Sequence, residues 1–186
     1  MNRLYPDDYV DSVYEIDFEK LYRQGYRGLI FDVDNTLVPH GAPADERALS
    51  LFQRLNATGF RSMFVSNNRE PRVQSFCDAV GGFGYLYRAG KPNPKGYREA
   101  MQRMGTDERS TLFLGDQIFT DILGANRAGI RSVMVRPVLK WREEIQIIFK
   151  RFAEAVVLFF YRIYVKSGGA QQPVPLLSEA EKKSGQ

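Results

Sequence analysis

Short apolar runs alternate along this chain with stretches in which apolar residues recur at helical spacing. The runs predict five buried strands, at Gly28–Asp32, Ser62–Ser66, Tyr85–Tyr87, Thr111–Gly115 and Ser132–Val135. The stretches around them predict helices at Phe18–Gln24, Ala44–Ala57, Glu70–Val80, Pro94–Met104 and Ile118–Ala128. Strands alternating with helices are typical of a parallel sheet covered on both faces. We therefore expect an α/β fold with a Rossmann-like, doubly wound parallel sheet.

The pattern changes after Pro137. Lys140–Lys166 predicts one long helix, with an apolar face made of Ile145, Ile148, Phe149, Phe152, Val156, Phe159 and Ile163. Basic residues flank this face, and the helix is expected to place Glu143, Lys150 and Glu154 opposite it. Such an amphipathic C-terminal helix can lie in a membrane interface, pack on its own domain or pair two subunits. The girdle AVVLFFY at 155–161 favours the membrane.

These changes predict three parts of the chain. Residues 1–137 form the core domain, 138–167 the amphipathic helix, and 168–186 a polar tail that we expect to be disordered. No apolar run reaches the roughly 20 residues that span a bilayer, and acidic residues come early in the chain. We expect a cytoplasmic protein that can associate peripherally with membranes.

Composition narrows the function classes. The net charge of +4 comes from interleaved residues of both signs, without a nucleic-acid motif, so we expect no nucleic-acid partner. The single cysteine, Cys77, excludes an internal disulfide and suits a reducing compartment. The single histidine, His40, excludes a histidine-based metal cluster; we interpret it as a solvated loop residue, with a role at the substrate left open. A homo-oligomer is left open as well.

Polar side chains cluster where the predicted strands end. Asp32 ends the first strand and Asp34 follows two positions later, within FDVDNTL (Phe31–Leu37). Two carboxylates this close repel each other unless a cation lies between them or one is protonated. An isolated pair of this kind would be interpreted as a turn whose side chains bond their own backbone. Ser66 and Asp116 also end strands, at the edge where doubly wound sheets bind ligands.

Four motifs follow one another in order: FDVDNTL, SNN (Ser66–Asn68), GKPNP (Gly90–Pro94) and GDQIFTD (Gly115–Asp121). Each is weak alone, but the ordered set resembles the haloacid dehalogenase (HAD) superfamily over about residues 25–136. The resemblance implies a phosphohydrolase with Asp32 as nucleophile and Asp34 as general acid/base. It also implies Ser66, Asn67 and Lys91 as phosphate-binding residues.

The implied reaction passes the phosphoryl group to Asp32 as an aspartyl-phosphate. Mg²⁺, held by Asp32, by Asp116 and by the backbone carbonyl of Asp34, would offset the repulsion between nucleophile and substrate. We expect crowding by carboxylates to raise the pKa of Asp34. Asp121 either supports the metal site or interacts with the first turn of its helix.

Basic residues near the motifs, and the lengths of two intervals between the motifs, bear on how the substrate is bound. Lys91 rather than Lys95 matches the family motif, and Lys95 is interpreted as a solvated position at a helix start. Arg69 could hold a second anionic group of the substrate, although a surface arginine is the commoner case. The intervals 38–60 and 67–90 are too short to house a cap domain, so we expect an open site that admits bulky substrates.

Within the superfamily the chain resembles the capless group of YqeG-type proteins and mitochondrial phosphatidylglycerophosphatase. The resemblance is carried by Pro6–Pro39, SNN, GKPNPKGY and Gly115–Gly129. It implies a phosphorylated lipid head group as substrate, phosphatidylglycerophosphate, and the membrane surface as partner of the C-terminal helix. Two alternatives remain: a phosphatase for small phosphorylated metabolites or nucleotides, and a non-catalytic interaction protein on the same fold.

Overall fold

Six parallel strands form one sheet in the computed structural model, which describes residues 3–138 and 145–166. The strands are β1 (Asp8–Val10), β2 (Gly28–Phe31), β3 (Arg61–Val65), β4 (Gly84–Leu86), β5 (Thr111–Gly115) and β6 (Arg131–Val135). Their order across the sheet is β1-β6-β5-β2-β3-β4. The chain thus runs from β2 to one side of the sheet and then returns to build the other side, which is the expected doubly wound topology.

Helices connect the strands and cover both faces. They are α1 (Phe18–Arg23), α2 (Glu46–Thr58), α3 (Glu70–Val80), α4 (Lys95–Met104), α5 (Leu123–Ala128) and α6 (Ile145–Lys166). The predicted helix Ile118–Ala128 differs, because it begins as a π-helical turn over Ile118–Ile122. Strand β1 was not predicted. The first residues of the predicted C-terminal helix and the predicted disordered tail lie outside the described residues.

Alternating side chains of the central strand divide the core between the two faces. Phe31 faces the layer of α1, α2 and α3, where its ring lies 5.2 Å from Phe52 in an edge-on contact. Ile30 faces the layer of α4 and α5 and is fully buried there. Because consecutive strand residues point to opposite faces, a strand buried on both sides must be apolar throughout. The run GLIF satisfies this requirement.

Strand β1 closes one edge of the sheet through a buried ion pair. Asp8 accepts hydrogen bonds from Arg131 at 2.7 and 3.0 Å, and the two side chains are only 3% and 8% exposed. The backbone N–H of Asp7 also donates to the carbonyl of Ser132, which starts the parallel pairing. A buried charge without its partner is costly, so this pair holds the edge strand in register.

Helix α6 docks on the domain through one side and exposes another. Tyr161 is buried and its ring lies 5.6 Å from Tyr5. Glu154, predicted to lie on the solvated side, is instead 7% exposed and faces the domain. The exposed side carries large apolar residues: Val156, Phe159, Phe160 and Ile163, between 44% and 61% exposed. Part of the predicted apolar face is therefore the exposed face. Among the described helices, none is long and apolar enough to cross a bilayer.

The buried ion pair at the sheet edge predicts a specific stability loss. We expect Asp8→Ala to lower the free energy of unfolding by about 3–5 kcal/mol, because Arg131 would keep a buried charge without the carboxylate that balances it. Urea denaturation monitored by circular dichroism measures this change. The matched control is Asp11→Ala, since Asp11 pairs with Arg136 at 3.5 Å on the surface and both side chains are 68% exposed. The control should change stability by less than about 1 kcal/mol; equal losses in both variants would contradict the role of burial.

Candidate active site

The carboxyl ends of three neighbouring strands bring the predicted site together. Asp32 follows β2, Ser66 follows β3 and Asp116 follows β5, and β2 lies between the other two strands. The backbone N–H of Asp32 donates to the carbonyl of Leu114 at 2.9 Å, so the pairing of β2 with β5 continues up to the site. This edge is the switch point of the sheet, where ligands bind in doubly wound folds.

Three buried carboxylates surround one buried lysine. The side chains of Asp32, Asp116 and Asp121 each offer an oxygen, and these oxygens lie within 4.8 Å of one another. The ammonium group of Lys91 donates to Asp32 Oδ1 at 2.5 Å and to Asp121 Oδ1 at 2.6 Å. Lys91 is 7% exposed, and the three aspartates are 6% exposed or less. The cluster therefore holds more negative than positive charge away from water.

The pKa values of these groups reflect that imbalance. Burial raises the pKa of Asp32, and the nearby Asp121 adds to the rise, while Lys91 opposes it. Burial also raises the pKa of Asp116, together with repulsion from Asp121 and Asp32. For Lys91, burial favours the neutral form, but the charges of Asp121 and Asp32 outweigh it and raise the pKa. Each shift would be relieved by additional positive charge at the cluster.

The donor set fits a hard divalent cation. Such ions take oxygen ligands, and carboxylates with a backbone carbonyl are a common combination. The carbonyl oxygen of Asp34 accepts no hydrogen bond from any residue within the described ranges, so it is available as a ligand beside Asp32. Thr36 Oγ1 lies 3.4 Å from Asp116 Oδ1 and orients that carboxylate. Of the predicted ligands, Asp32 and Asp116 belong to the carboxylate cluster and the side chain of Asp34 does not. Asp121, predicted as a supporting residue, is the third member of the cluster.

Asp121 is held by features of the turn that follows β5. Its Oδ2 accepts the backbone N–H of Gln117 at 3.0 Å, while the hydroxyl of Tyr97 contacts the backbone carbonyls of Thr120 and Asp121. A Cβ at Gly115 would lie 2.7 Å from the side chain of Asp121, so only glycine admits this close approach. Asp121 therefore both caps the turn and contributes to the cluster, which combines the two alternative interpretations of the sequence.

The pKa of Asp34 shifts in the direction opposite to the one expected from the sequence. Burial alone would raise that pKa, but hydrogen bonds from Arg72, from the Gly41 N–H and from Asn68 outweigh burial and lower it. Arg72 donates to Asp34 Oδ1 at 2.9 Å, and Asn68 donates to Oδ2 at 2.8 Å. The expected rise assumed that neighbouring carboxylates dominate, whereas cationic and amide donors surround Asp34 on the side away from the cluster.

Asn67 ties two of the predicted phosphate-binding loops together. Its side-chain oxygen accepts the N–H of Lys91 at 2.8 Å, and its side-chain nitrogen donates to the Lys91 carbonyl at 3.1 Å. The side-chain amide of Asn67 is thus engaged in positioning Lys91, and its backbone N–H has no hydrogen-bond partner among the described residues. The hydroxyl of Ser66 accepts the N–H of Asn68 at 3.1 Å and keeps its own proton free to donate.

An open cavity of about 330 Å³ lies above the cluster. Its lining includes Asp32, Asp34, His40, Ser66, Asn67 and Lys91. The His40 side chain is 70% exposed and its Nδ1 lies 3.9 Å from Asp34 Oδ1, so it borders the site as a largely solvated loop residue. Arg69 and Lys95 are exposed at the first turns of α3 and α4.

Glu154 and Arg72 are the functional residues that the sequence patterns missed. Glu154 accepts the backbone N–H of Ile118 at 3.1 Å, so α6 is bound to the turn that carries Asp121. Arg72 lies on α3, three residues beyond Arg69, which had been considered for an anionic group. Both contacts join residues that lie far apart in the sequence. A local signal existed only for Arg72, because its helical spacing could have placed it on the side of α3 that faces the sheet edge.

Comparisons with known proteins agree with this geometry. The HAD-hydrolase-like family model matches residues 88–146. The probable phosphatase YqeG of Bacillus subtilis (strain 168) is 37% identical over 134 residues, which are 72% of this chain and 77% of the relative. The chloroplastic phosphatidylglycerophosphate phosphatase 1 of Chlamydomonas reinhardtii is 28% identical over 77% of this chain, but this chain spans only 56% of that protein.

A solved structure supports the fold. The cobalt-bound deoxy-D-mannose-octulosonate 8-phosphate phosphatase of Haemophilus influenzae has a TM-score of 0.51 at 14% identity, covering 62% of this chain and 70% of that one. Fold and relatives together define a HAD-type phosphatase, an enzyme class that uses a divalent metal. Within that class, the chain belongs to the family of the YqeG phosphatase.

The cluster predicts that Asp121 contributes to metal affinity. We expect Asp121→Asn to weaken binding of a divalent cation about 10- to 100-fold, because the variant loses a charge beside Asp32 and Asp116. Calorimetric titration with Mg²⁺ measures this affinity directly. Asp78→Asn, an exposed position on α3, is the control and should bind as the wild type does. Unchanged affinity in Asp121→Asn would show that Asp121 serves the turn alone.

Proposed function

We propose that this phosphatase removes the terminal phosphate of phosphatidylglycerophosphate, using Mg²⁺ and an aspartyl-phosphate intermediate. The observation that carries the chemistry is the cluster in which Lys91 contacts both Asp32 and Asp121, beside Asp116. The lipid substrate is supported by the phosphatidylglycerophosphate phosphatase relative and by the exposed apolar side of α6.

Asp32 is the proposed nucleophile. Its carboxylate borders the open cavity, where a substrate phosphorus atom can approach it. An Asp32 oxygen forms the bond to phosphorus while the bond between phosphorus and the leaving oxygen breaks. Water then attacks the phosphorus, the bond to Asp32 breaks, and inorganic phosphate is released. Mg²⁺, held by Asp32, Asp116 and the Asp34 carbonyl, would supply positive charge that offsets the repulsion between carboxylate and phosphate.

Lys91 and the loop after β3 are proposed to hold the transferred phosphoryl group. The ammonium group is buried against Asp32. It therefore lies beside the position that the phosphoryl oxygens must take when the nucleophile attacks. Ser66 supplies a hydroxyl proton, and the backbone N–H of Asn67 supplies a second donor. The paired hydrogen bonds between Asn67 and Lys91 keep these donors in one arrangement, so little reorganisation is needed during the reaction.

Asp34 is proposed to carry the proton between the leaving oxygen and the attacking water. In the free site its carboxylate is bound to Arg72 and its pKa is lowered. A substrate phosphate beside Asp34 adds negative charge and raises that pKa, which is the direction that proton donation requires. In the second step the ionised carboxylate takes a proton from water as it attacks.

The open approach to the site suits a substrate that is bulky beyond its phosphate. The segment between β2 and β3 holds one helix, α2, and the segment between β3 and β4 holds one helix, α3. Both segments are described in full, and neither contains an inserted domain that could cover the cavity. A lipid head group at a membrane surface can therefore reach Asp32 without leaving the bilayer.

Helix α6 is proposed to hold the domain on a membrane surface. Glu154 binds the turn beside the site, whereas Tyr161 contacts Tyr5 near the opposite end of the sheet, so α6 runs along the domain. Phe159, Phe160 and Ile163 lie on its exposed side, and the exposed Arg162 lies among them. Apolar side chains with adjacent basic residues favour an anionic lipid interface.

The proposed reaction predicts metal-dependent release of phosphate from the lipid. We expect phosphatidylglycerophosphate in mixed micelles to yield inorganic phosphate with Mg²⁺ and none with EDTA. Asp32→Asn should lower kcat at least about a thousandfold, because the nucleophile is lost while the fold is kept. Near-normal turnover in this variant would remove the covalent mechanism. Release only from small soluble phosphomonoesters would keep the phosphatase and exclude the lipid.

The exposed side of α6 predicts a separate membrane phenotype. We expect Phe159→Ser to weaken binding to anionic vesicles about tenfold, which corresponds to about 1.4 kcal/mol of lost apolar contact. Vesicle flotation measures binding. Phe83→Ser is the matched control, because Phe83 is 52% exposed on another part of the domain. A point substitution is preferable to truncation, since removing α6 would expose Ile118, Ile122 and Met134. Equal flotation of both variants would argue against the membrane helix.

A further inference from the structure

Arg72 is a partly buried guanidinium beside the proposed acid/base. It lies in the first turns of α3, its side chain is 18% exposed, and it stacks over the ring of Phe76 at 5.6 Å. Its Nη2 and Nε lie 2.9 and 3.3 Å from Asp34 Oδ1. Arg72 therefore contacts Asp34, which lines the active-site cavity, and it is held by a helix and an aromatic ring rather than by a loop.

The ion pair leaves most of the guanidinium without a partner. Both of its hydrogen bonds converge on Asp34 Oδ1, which also accepts the Gly41 N–H, while Oδ2 accepts from Asn68 at 2.8 Å. An arginine has five N–H donors in a fixed fork, which matches two oxygens of one carboxylate or phosphate. Two of the five are used here, so three have no acceptor among the residues that the structure describes. A small anion with two oxygens could use them.

The two fixed cations of the site lie on different sides of the reacting groups. Lys91 contacts Asp32 and Asp121, on the side of the transferred phosphoryl group. Arg72 contacts Asp34, which meets the leaving oxygen in the proposed mechanism. In the proposed mechanism, Arg72 is therefore near the alcohol that departs, whereas Lys91 is near the phosphate that is transferred.

We propose that Arg72 binds a second anionic group carried by the leaving alcohol of the substrate. This inference rests on the proposed function. In phosphatidylglycerophosphate the leaving alcohol carries a phosphodiester on the same glycerol unit, and its two unesterified oxygens match the free N–H donors of Arg72. The enzyme then distinguishes a phosphomonoester with a neighbouring phosphodiester from a simple phosphomonoester by one guanidinium, without a cap domain.

Two other roles would leave a different trace. If Arg72 only positions Asp34, its loss slows every phosphomonoester by the same factor, because the same acid/base serves them all. If the exposed Arg69 holds the second anion, the loss of Arg69 rather than Arg72 removes the discrimination. The ratio of kcat/KM between a substrate with the second anion and one without it separates these cases from the proposal.

The experiment uses the full-length protein with Mg²⁺ and two soluble substrates. One is the deacylated head group, glycerophosphoglycerol phosphate, and the other is glycerol 3-phosphate. In the wild type we expect kcat/KM to favour the first. In Arg72→Gln that preference should fall about 10- to 100-fold, the equivalent of a lost charge-assisted hydrogen-bonded pair. Arg72→Lys, which keeps the charge without the fork, should recover part of it, and Arg69→Gln should keep it.

An unchanged preference in Arg72→Gln, or a loss in Arg69→Gln instead, would overturn the proposal. A wild type without any preference would overturn it too, while phosphate release from the lipid in micelles would leave the proposed function intact. Conversely, a preference that depends on Arg72 together with no release from the lipid would keep this subsite and exclude the lipid. If turnover of the soluble pair is too slow, calorimetric affinities of the two compounds in the Asp32→Asn background test whether Arg72 binds the second anion in the ground state.

Discussion

The site is built around one electrostatic constraint: three carboxylates share a buried space with a single lysine. Burial makes each ionised carboxylate costly, and Lys91 can offset only part of the charge of Asp32, Asp116 and Asp121. The surrounding structure keeps these like charges from separating. Gly115 leaves room for Asp121 against the end of β5, Tyr97 holds the carbonyls of its turn, and Asn67 holds the backbone of Lys91. The same arrangement attracts a divalent cation, whose charge would offset the free-energy cost of burying these carboxylates.

Helix α6 combines two interpretations that the sequence left as alternatives. Glu154 and Tyr161 face the domain, while Phe159 and Ile163 remain exposed on the other side of the same helix. Docking on its own domain and contact with a membrane are therefore compatible. Because Glu154 bonds to the backbone of Ile118, the helix is joined to the turn that carries Asp121 rather than to a distant surface. The orientation of the domain on a lipid surface would thus follow from the position of α6.

Local sequence patterns predicted most of the fold, and they indicated most of the side chains that the fold brings together at the candidate site. The helix Glu70–Val80 and the strand Thr111–Gly115 have the predicted bounds, because apolar periodicity and flanking glycines are local signals. Strand β1 escaped prediction because it begins with a charged residue, Asp8, whose burial depends on Arg131, 123 residues away. The pKa of Asp34 was predicted in the wrong direction because its partner Arg72 lies 38 residues away. Glu154 was misplaced for a similar reason: its acceptor role depends on Ile118, 36 residues earlier.

The strand order has a consequence for how the protein is made. Strand β5 pairs with β2, although β3 and β4 lie between them in the sequence and on the other side of β2 in the sheet. Thr36 contacts Asp116 across 80 residues, and Lys91 contacts Asp32 across 59 residues. Contacts of such long range form late and slowly. A nascent chain that has emerged only as far as α4 contains the nucleophile and its lysine but only one carboxylate of the cluster. Such a chain lacks two of the three carboxylates that would hold a cation, so metal-dependent chemistry requires the second half of the sheet.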